Sequence, residues 1–146
     1  MSLKNYISKI NLALRISRKY SFVKLLINSK KYSAYQKGKR SNKIEEEIVD
    51  YDLKIDRKPF QLAMRTYRGD IDIFYEVFWR EVYHIPNNYM KNPKIIIDLG
   101  AHIGLASIYF ATRYPNAKIL SVEASATNFQ LLESNTKSFK NIQSVH

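Results

Sequence analysis

The sequence predicts an α/β fold built on a parallel β-α-β-α unit, with a basic helical arm ahead of it, and three observations predict this. Two short apolar, β-branched runs, KIIIDLG at 94–100 and KILSVEA at 118–124, have the pattern of strands buried on both faces in a parallel sheet. Each is followed by a segment of helical spacing, IGLASIYFATRY and SATNFQLLESNTKSF, and such an order implies a right-handed parallel crossover. The charge is divided unevenly. Residues 1–43 hold 12 Lys or Arg and no Asp or Glu, whereas the other 103 hold 12 basic and 13 acidic residues, a net charge of −1 against +11 for the whole chain.

Taken in chain order, residues 1–43 form the first segment, a basic amphipathic arm and linker. Ile7, Ile10 and Leu14 recur at helical spacing among Lys9, Arg15, Arg18 and Lys19, and the pattern restarts with Phe22, Leu25 and Leu26. One or two helices are expected, and three partners stay open for them: their own domain or a twin subunit in a homo-oligomer, an anionic membrane surface or lipid-linked substrate, or nucleic acid. Nucleic acid is the least favoured, because the body of the chain is not basic. KKYSAYQKGKRSNK reads as a solvated linker.

The second segment, 44–93, is a cap on the substrate side. YDLKI (51–55) and FQLAMR (60–65) predict two extended stretches, a cap or a hairpin, the second entered through Pro59. In RGDIDIFYEVFWREVYHIP, residues Ile71, Phe74, Tyr75 and Phe78 share a helical face that reads as core; Asp70 is placed as N-cap and Pro86 as the stop.

The third segment, 94–146, carries the motif. Ser125 is a candidate cap for the second helix, with Phe129, Leu132 and Phe139 on one side, and NIQSVH reads as the start of a third strand. The 146 residues, 45% apolar, suit one compact domain or slightly less. The lack of cysteine removes disulfide scaffolds and thiolate metal sites; with only His84, His102 and His146 as imidazoles, no metal is expected. No run approaches the roughly 20 apolar residues of a membrane span, and the N-terminus lacks a secretory apolar core, so the expected location is cytoplasmic, with peripheral contact at the inner membrane face as the arm's alternative.

Asp98, Gly100 and Gly104 form D-x-G-x-x-x-G at a strand-to-helix junction, where backbone amides and the helix dipole meet a ligand. Gly100 permits a sharp turn, and Gly104 permits a ligand or a neighbouring strand to come close. Glu123, at the end of the next strand, can accept both hydroxyls of a ribose. The loop lacks the close Gly-x-Gly pair of a dinucleotide site, and a carboxylate at Asp98 would repel a pyrophosphate while attracting the ammonium of S-adenosylmethionine. The charge pattern therefore selects S-adenosylmethionine over a nicotinamide dinucleotide, with a merely structural β-α-β unit as the remaining alternative.

IIIDLGAHIGLASIYFATRYPNAKILSVEASATNFQLLESNTKSFKNIQ (95–143) resembles the core of the FkbM family of class I S-adenosylmethionine-dependent methyltransferases, and MRTYRGDIDIFYEVFWREVY (64–83) resembles the segment that precedes it. The resemblance implies an incomplete Rossmann-like class I methyltransferase fold. It also implies that Asp98, Gly100, Ala101 and Gly104 shape the methionine-end pocket, that Glu123 holds the ribose, and that His102, at a position where the family often has Asn, contacts cofactor or substrate or is simply an exposed loop residue. Ala124 replaces a frequent proline. Arg65 and Asp70 match the upstream motif only in part, which makes them weak substrate-binding candidates and better candidates for capping or ion pairing. The implied reaction is O-methylation of a sugar or natural-product hydroxyl, with a small-molecule or glycan acceptor. Segments that complete the family's acceptor pocket have no counterpart after the second helix, so the expectation is an N-terminal, cofactor-binding half that is inactive and folds poorly alone, with no general base to assign. The rival expectation is a non-catalytic remnant or binding module whose basic arm contacts an acidic membrane or partner.

Overall fold

The computed structural model describes residues 3–38, 46–86 and 89–146, and the chain divides into two compact units, Met1–Trp79 and Arg80–His146.

The first unit holds two helices, α1 (Leu3–Ile16) and α2 (Ser21–Gln36), a strand pair, β1 (Ile48–Ile55) and β2 (Lys58–Arg65), and a third helix, α3 (Asp70–Phe78). The strands form an antiparallel hairpin whose register sets Tyr51 opposite Leu62 and Leu53 opposite Phe60. These four side chains are buried, while Asp52, between two of them, points to the other face, as the two-residue period requires. Asp56 and Arg57, both at positive φ, make the two-residue turn that suits the twist of a hairpin.

Both N-terminal helices pack against β1, and α3 packs against β2. Arg18 N–H donates to Asp52 O at 2.9 Å and Asp52 N–H to Ser21 Oγ at 2.7 Å, so the link between α1 and α2 is stitched to the hairpin. Asn28 donates to the Tyr51 hydroxyl inside the unit, and burial pushes that hydroxyl's pKa up to about 12.

Three sequence expectations change here. The buried stripe of α1 is Leu12, Ala13 and Ile16, whereas Ile7 and Leu14 are 50% and 55% exposed. The segment read as linker is helical as far as Gln36, because Tyr35 packs edge-on against Tyr67 and Gln36 Nε2 donates to the Tyr32 hydroxyl at 2.9 Å; residues 39–45 lie outside the described residues. Helix α3 ends at Phe78 rather than at Pro86, and Glu81 has a positive φ that no α-helix accommodates. Its apolar face is buried as expected at Ile71, Phe74, Tyr75 and Phe78.

The second unit alternates strand and helix: β3 (Ile95–Leu99), α4 (Leu105–Arg113), β4 (Lys118–Val122), α5 (Ala126–Thr136) and β5 (Ile142–Val145). The three strands are parallel in the order β3-β4-β5, so the chain is an α/β protein with a Rossmann-like β-α-β-α-β sheet, and the final strand expected from NIQSVH is formed. Ala106, Phe110 and Ala111 of α4 pack with Ile119 of β4, and Ile96, Phe139 and Ile142 close around them.

The expectation that the first strand is buried on both faces is corrected. Ile96 and Asp98 turn inward, but Ile95, Ile97 and Leu99 are 68%, 59% and 76% exposed. Among the described residues β3 pairs only with β4, leaving its outer edge and one apolar face uncovered.

Candidate functional site

The site is built where β3 and β4 end side by side. Leu99 lies opposite Val122 in the ladder, and the two amides that follow, Gly100 N–H and Ala101 N–H, both donate to Val122 O at 2.9 Å. This double bond to one carbonyl folds the chain over the end of β4. Gly100 at φ +75° makes the turn, His102 at φ +53° continues it, and Gly104 at φ +91° starts α4.

The two glycines serve different ends. A Cβ on Gly100 would meet no atom of the described residues within 4 Å, so the space beside it is open. A Cβ on Gly104 would lie 3.0 Å from both Leu132 Cδ1 and Thr136 Cγ2. What comes close on the Cβ side of Gly104 is therefore helix α5 rather than a neighbouring strand.

Glu123 follows β4 directly and is 8% exposed. Its Oε2 accepts from His102 N–H at 2.8 Å, and its Oε1 accepts from Ser125 N–H at 2.9 Å and Asn128 Nδ2 at 3.3 Å. Burial alone would raise this carboxyl, but the two backbone hydrogen bonds and that of Asn128 outweigh it and hold the group below the ordinary glutamate value. An ionised carboxylate offers about four acceptor positions. With three taken, Oε2 keeps one for a hydroxyl, and a second hydroxyl at Oε1 requires Asn128 to give way.

Asp98, half-buried, accepts from Ser107 Oγ at 2.6 Å, and Ser107 accepts in turn from Ser121 Oγ at 2.7 Å. Desolvation raises its carboxyl above the usual aspartate range, opposed by the Ser107 hydrogen bonds. A nearby cation would favour its charged form.

The structure thus brings Asp98, Gly100, Ala101, His102, Gly104 and Glu123 into one loop cluster at the carboxyl ends of two parallel strands. Sequence reasoning missed Ser107, Ser121 and Asn128, which fix the two carboxylates. The available signal was positional: Ser107 stands in the first turn after the glycine loop, and Asn128 five residues beyond Glu123.

Arg65 and Asp70 belong to the first unit and form a buried bidentate ion pair. Arg65 Nη2 donates to Asp70 Oδ1 at 2.9 Å and Arg65 Nε to Oδ2 at 3.0 Å; the Arg65 backbone N–H adds a third bond to Oδ2 at 2.8 Å. Asp70 is the first residue of α3 rather than its cap, which is Gly69, because its carboxylate is turned back to Arg65 instead of to the amides of its own helix.

Over 63 residues the chain is 41% identical to the methyltransferase sdnD of Sordaria araneosa. That is a methyltransferase likeness. The match covers 43% of this chain and 24% of sdnD. A match of the same length, 35% identical, to the AMB antimetabolite synthetase AmbE of Pseudomonas aeruginosa covers 3% of that much larger protein. The chain therefore spans about a quarter or less of the curated relatives it matches. Among solved structures, TYW2 of M. jannaschii in complex with AdoMet is similar with a TM-score of 0.44 and 20% identity, over 73% of this chain and 45% of that one. No family model matches the sequence.

Proposed function

We propose that this chain is the cofactor-binding part of an S-adenosylmethionine-dependent methyltransferase of the FkbM type, which O-methylates a hydroxyl of a sugar or natural product. The observation that carries the reading is the Glu123 carboxylate, ionised and fixed by the His102 amide at 2.8 Å beside the Gly100 turn. The site's chemistry fits S-adenosylmethionine: an open flank at Gly100, an acceptor left on Glu123 for a ribose hydroxyl, and a carboxylate at Asp98 for an ammonium group. The likeness to sdnD supports the same class.

Bound there, the cofactor supplies an electrophilic methyl group on a sulfonium. The chain's own residues orient it: Glu123 holds the ribose, Asp98 the amino end, and the Gly100–Ala101 backbone allows close approach. An acceptor oxygen must then arrive in line at about 3–3.5 Å, and catalysis is largely a matter of that positioning. The Arg65–Asp70 pair is read as the fastening of the β2–α3 corner, since each group already holds the other.

We infer further that catalysis needs polypeptide that covers β3. The exposed Ile95, Ile97 and Leu99 on a strand with one unpaired edge support this, because a parallel sheet is ordinarily covered on both faces. Titration of the chain with S-adenosylhomocysteine by calorimetry tests the reading. Binding is expected, and Glu123→Gln, which turns an amide donor toward other donors, should weaken it about tenfold to a hundredfold with the fold intact by hydrogen exchange. Absence of binding, or a Glu123→Gln variant that binds as the parent does, would refute the cofactor assignment. Methyl transfer to a sugar acceptor by this chain alone would refute the need for further polypeptide.

A further inference from the structure

Of the apolar stripe that the sequence marks in α1, Ile7 and Leu14 are exposed and Ile10 is half-buried. Ile7, Ile10 and Leu14 lie on one face, opposite the buried Leu12 and Ile16, and exposed Lys4 and Arg15 flank it. Helix α2 repeats the arrangement: Val23 and Ile27, one turn apart, are each 49% exposed, with exposed Lys30 beside them, and Tyr20 before the helix is 82% exposed. Between the two helices and the start of α3 lies a cleft of about 680 Å³ lined by Tyr6, Ile10, Ile27, Lys30 and Lys37 among others, where apolar and cationic side chains meet beside the Asp72 carboxylate.

We propose that α1 and α2 form a docking surface for an anionic lipid bilayer. Aliphatic side chains interleaved with cations match a boundary where acyl chains lie just beneath anionic headgroups, and an amphipathic helix binds there by burying its apolar stripe while its cations stay at headgroup level. Charge complementarity decides against the other occupants. A second copy apposing the same two helices would bring Lys4, Arg15 and Lys30 against cations of the same set, with no acidic residue in either helix to pair them. Nucleic acid would meet the cations but leave Ile7, Leu14, Val23 and Ile27 against its polar backbone, where they gain nothing.

The test is vesicle co-sedimentation of the full chain on phosphatidylcholine alone and with about 30% phosphatidylserine added. Each cation near such a surface contributes roughly fivefold in partitioning, so binding to the anionic vesicles should be at least about tenfold stronger and should weaken with salt. The double variant Ile7→Glu, Leu14→Glu should lower it about tenfold or more; Ile7→Ser, Leu14→Ser serves if circular dichroism shows the glutamate pair to be misfolded. Equal binding to neutral and anionic vesicles, no binding, or full binding by a folded double variant would overturn the proposal. So would a dimer in sedimentation velocity that Ile7→Glu abolishes, or retardation of RNA or DNA by a chain that ignores both vesicles.

Discussion

Replacing each motif glycine by alanine separates two roles that the sequence merges. Gly100 and Gly104 sit at φ +75° and +91°, and an L-residue there costs about 1–2 kcal/mol in either place. At Gly100 that is the whole stability cost, because the new methyl enters open space. At Gly104 it also meets Leu132 and Thr136 at 3.0 Å. Leu132 is fully buried and Thr136 is tied by its hydroxyl to Leu132 O at 2.7 Å, so neither yields freely. Overpacking of this kind adds about 1–3 kcal/mol, which brings Gly104→Ala to about 2–5 kcal/mol against about 1–2 for Gly100→Ala. Trp79, the single tryptophan, belongs to the first unit, so hydrogen exchange followed by mass spectrometry over α4 and α5 is the suitable assay. Gly104→Ala should lower protection of both helices. Gly100→Ala should largely preserve it but weaken S-adenosylhomocysteine binding, since its methyl occupies the flank assigned to the cofactor. Equal loss of protection in the two variants would refute the reasoning.

Two further outcomes are expected. Asp70→Ala leaves a buried guanidinium without its bidentate partner and should destabilise the first unit by about 3–5 kcal/mol, read by Trp79 fluorescence in urea; a loss below about 1 kcal/mol would show the pair to be dispensable. Asp98 and Glu123 should give opposite pH signatures in the thermal stability of the second unit. A carboxyl raised by burial, as at Asp98, favours the fold while protonated and weakens it as pH rises through its folded value, so Asp98→Asn should stabilise at neutral pH while weakening cofactor binding about tenfold or more. Glu123, held low, contributes stability above the ordinary carboxylate range and loses it as pH falls through its own lowered value, so Glu123→Gln should destabilise at neutral pH and not in acid. Parallel pH profiles for the two variants would contradict these assignments.

Local pattern alone determined the alternation of the second unit and the cluster at its strand ends: β-branched runs stopped by Gly100 and Glu123 define strands and where they finish, and residues at the carboxyl ends of adjacent parallel strands must be neighbours. It also pointed to helix in the basic arm without deciding between one helix and two, to two extended stretches without deciding between a cap and a hairpin, and to the buried face of α3, since hydrophobic periodicity is a property of consecutive residues. It did not determine which side of α1 faces inward, because Ile7, Ile10 and Leu14 and the set Leu12, Ala13 and Ile16 are both helical stripes, and only the docking of Arg18 and Ser21 on β1 selects between them. Nor could it distinguish the two glycines, whose difference is the presence of α5 beside one of them. Asp70 reads as a cap until folding brings Arg65 within reach, and Ser107, Ser121 and Asn128 acquire their roles only when helix and strand side chains from distant positions meet. Periodicity records which residues can share a face, whereas contacts between faces are long-range, and the tertiary structure alone decides them.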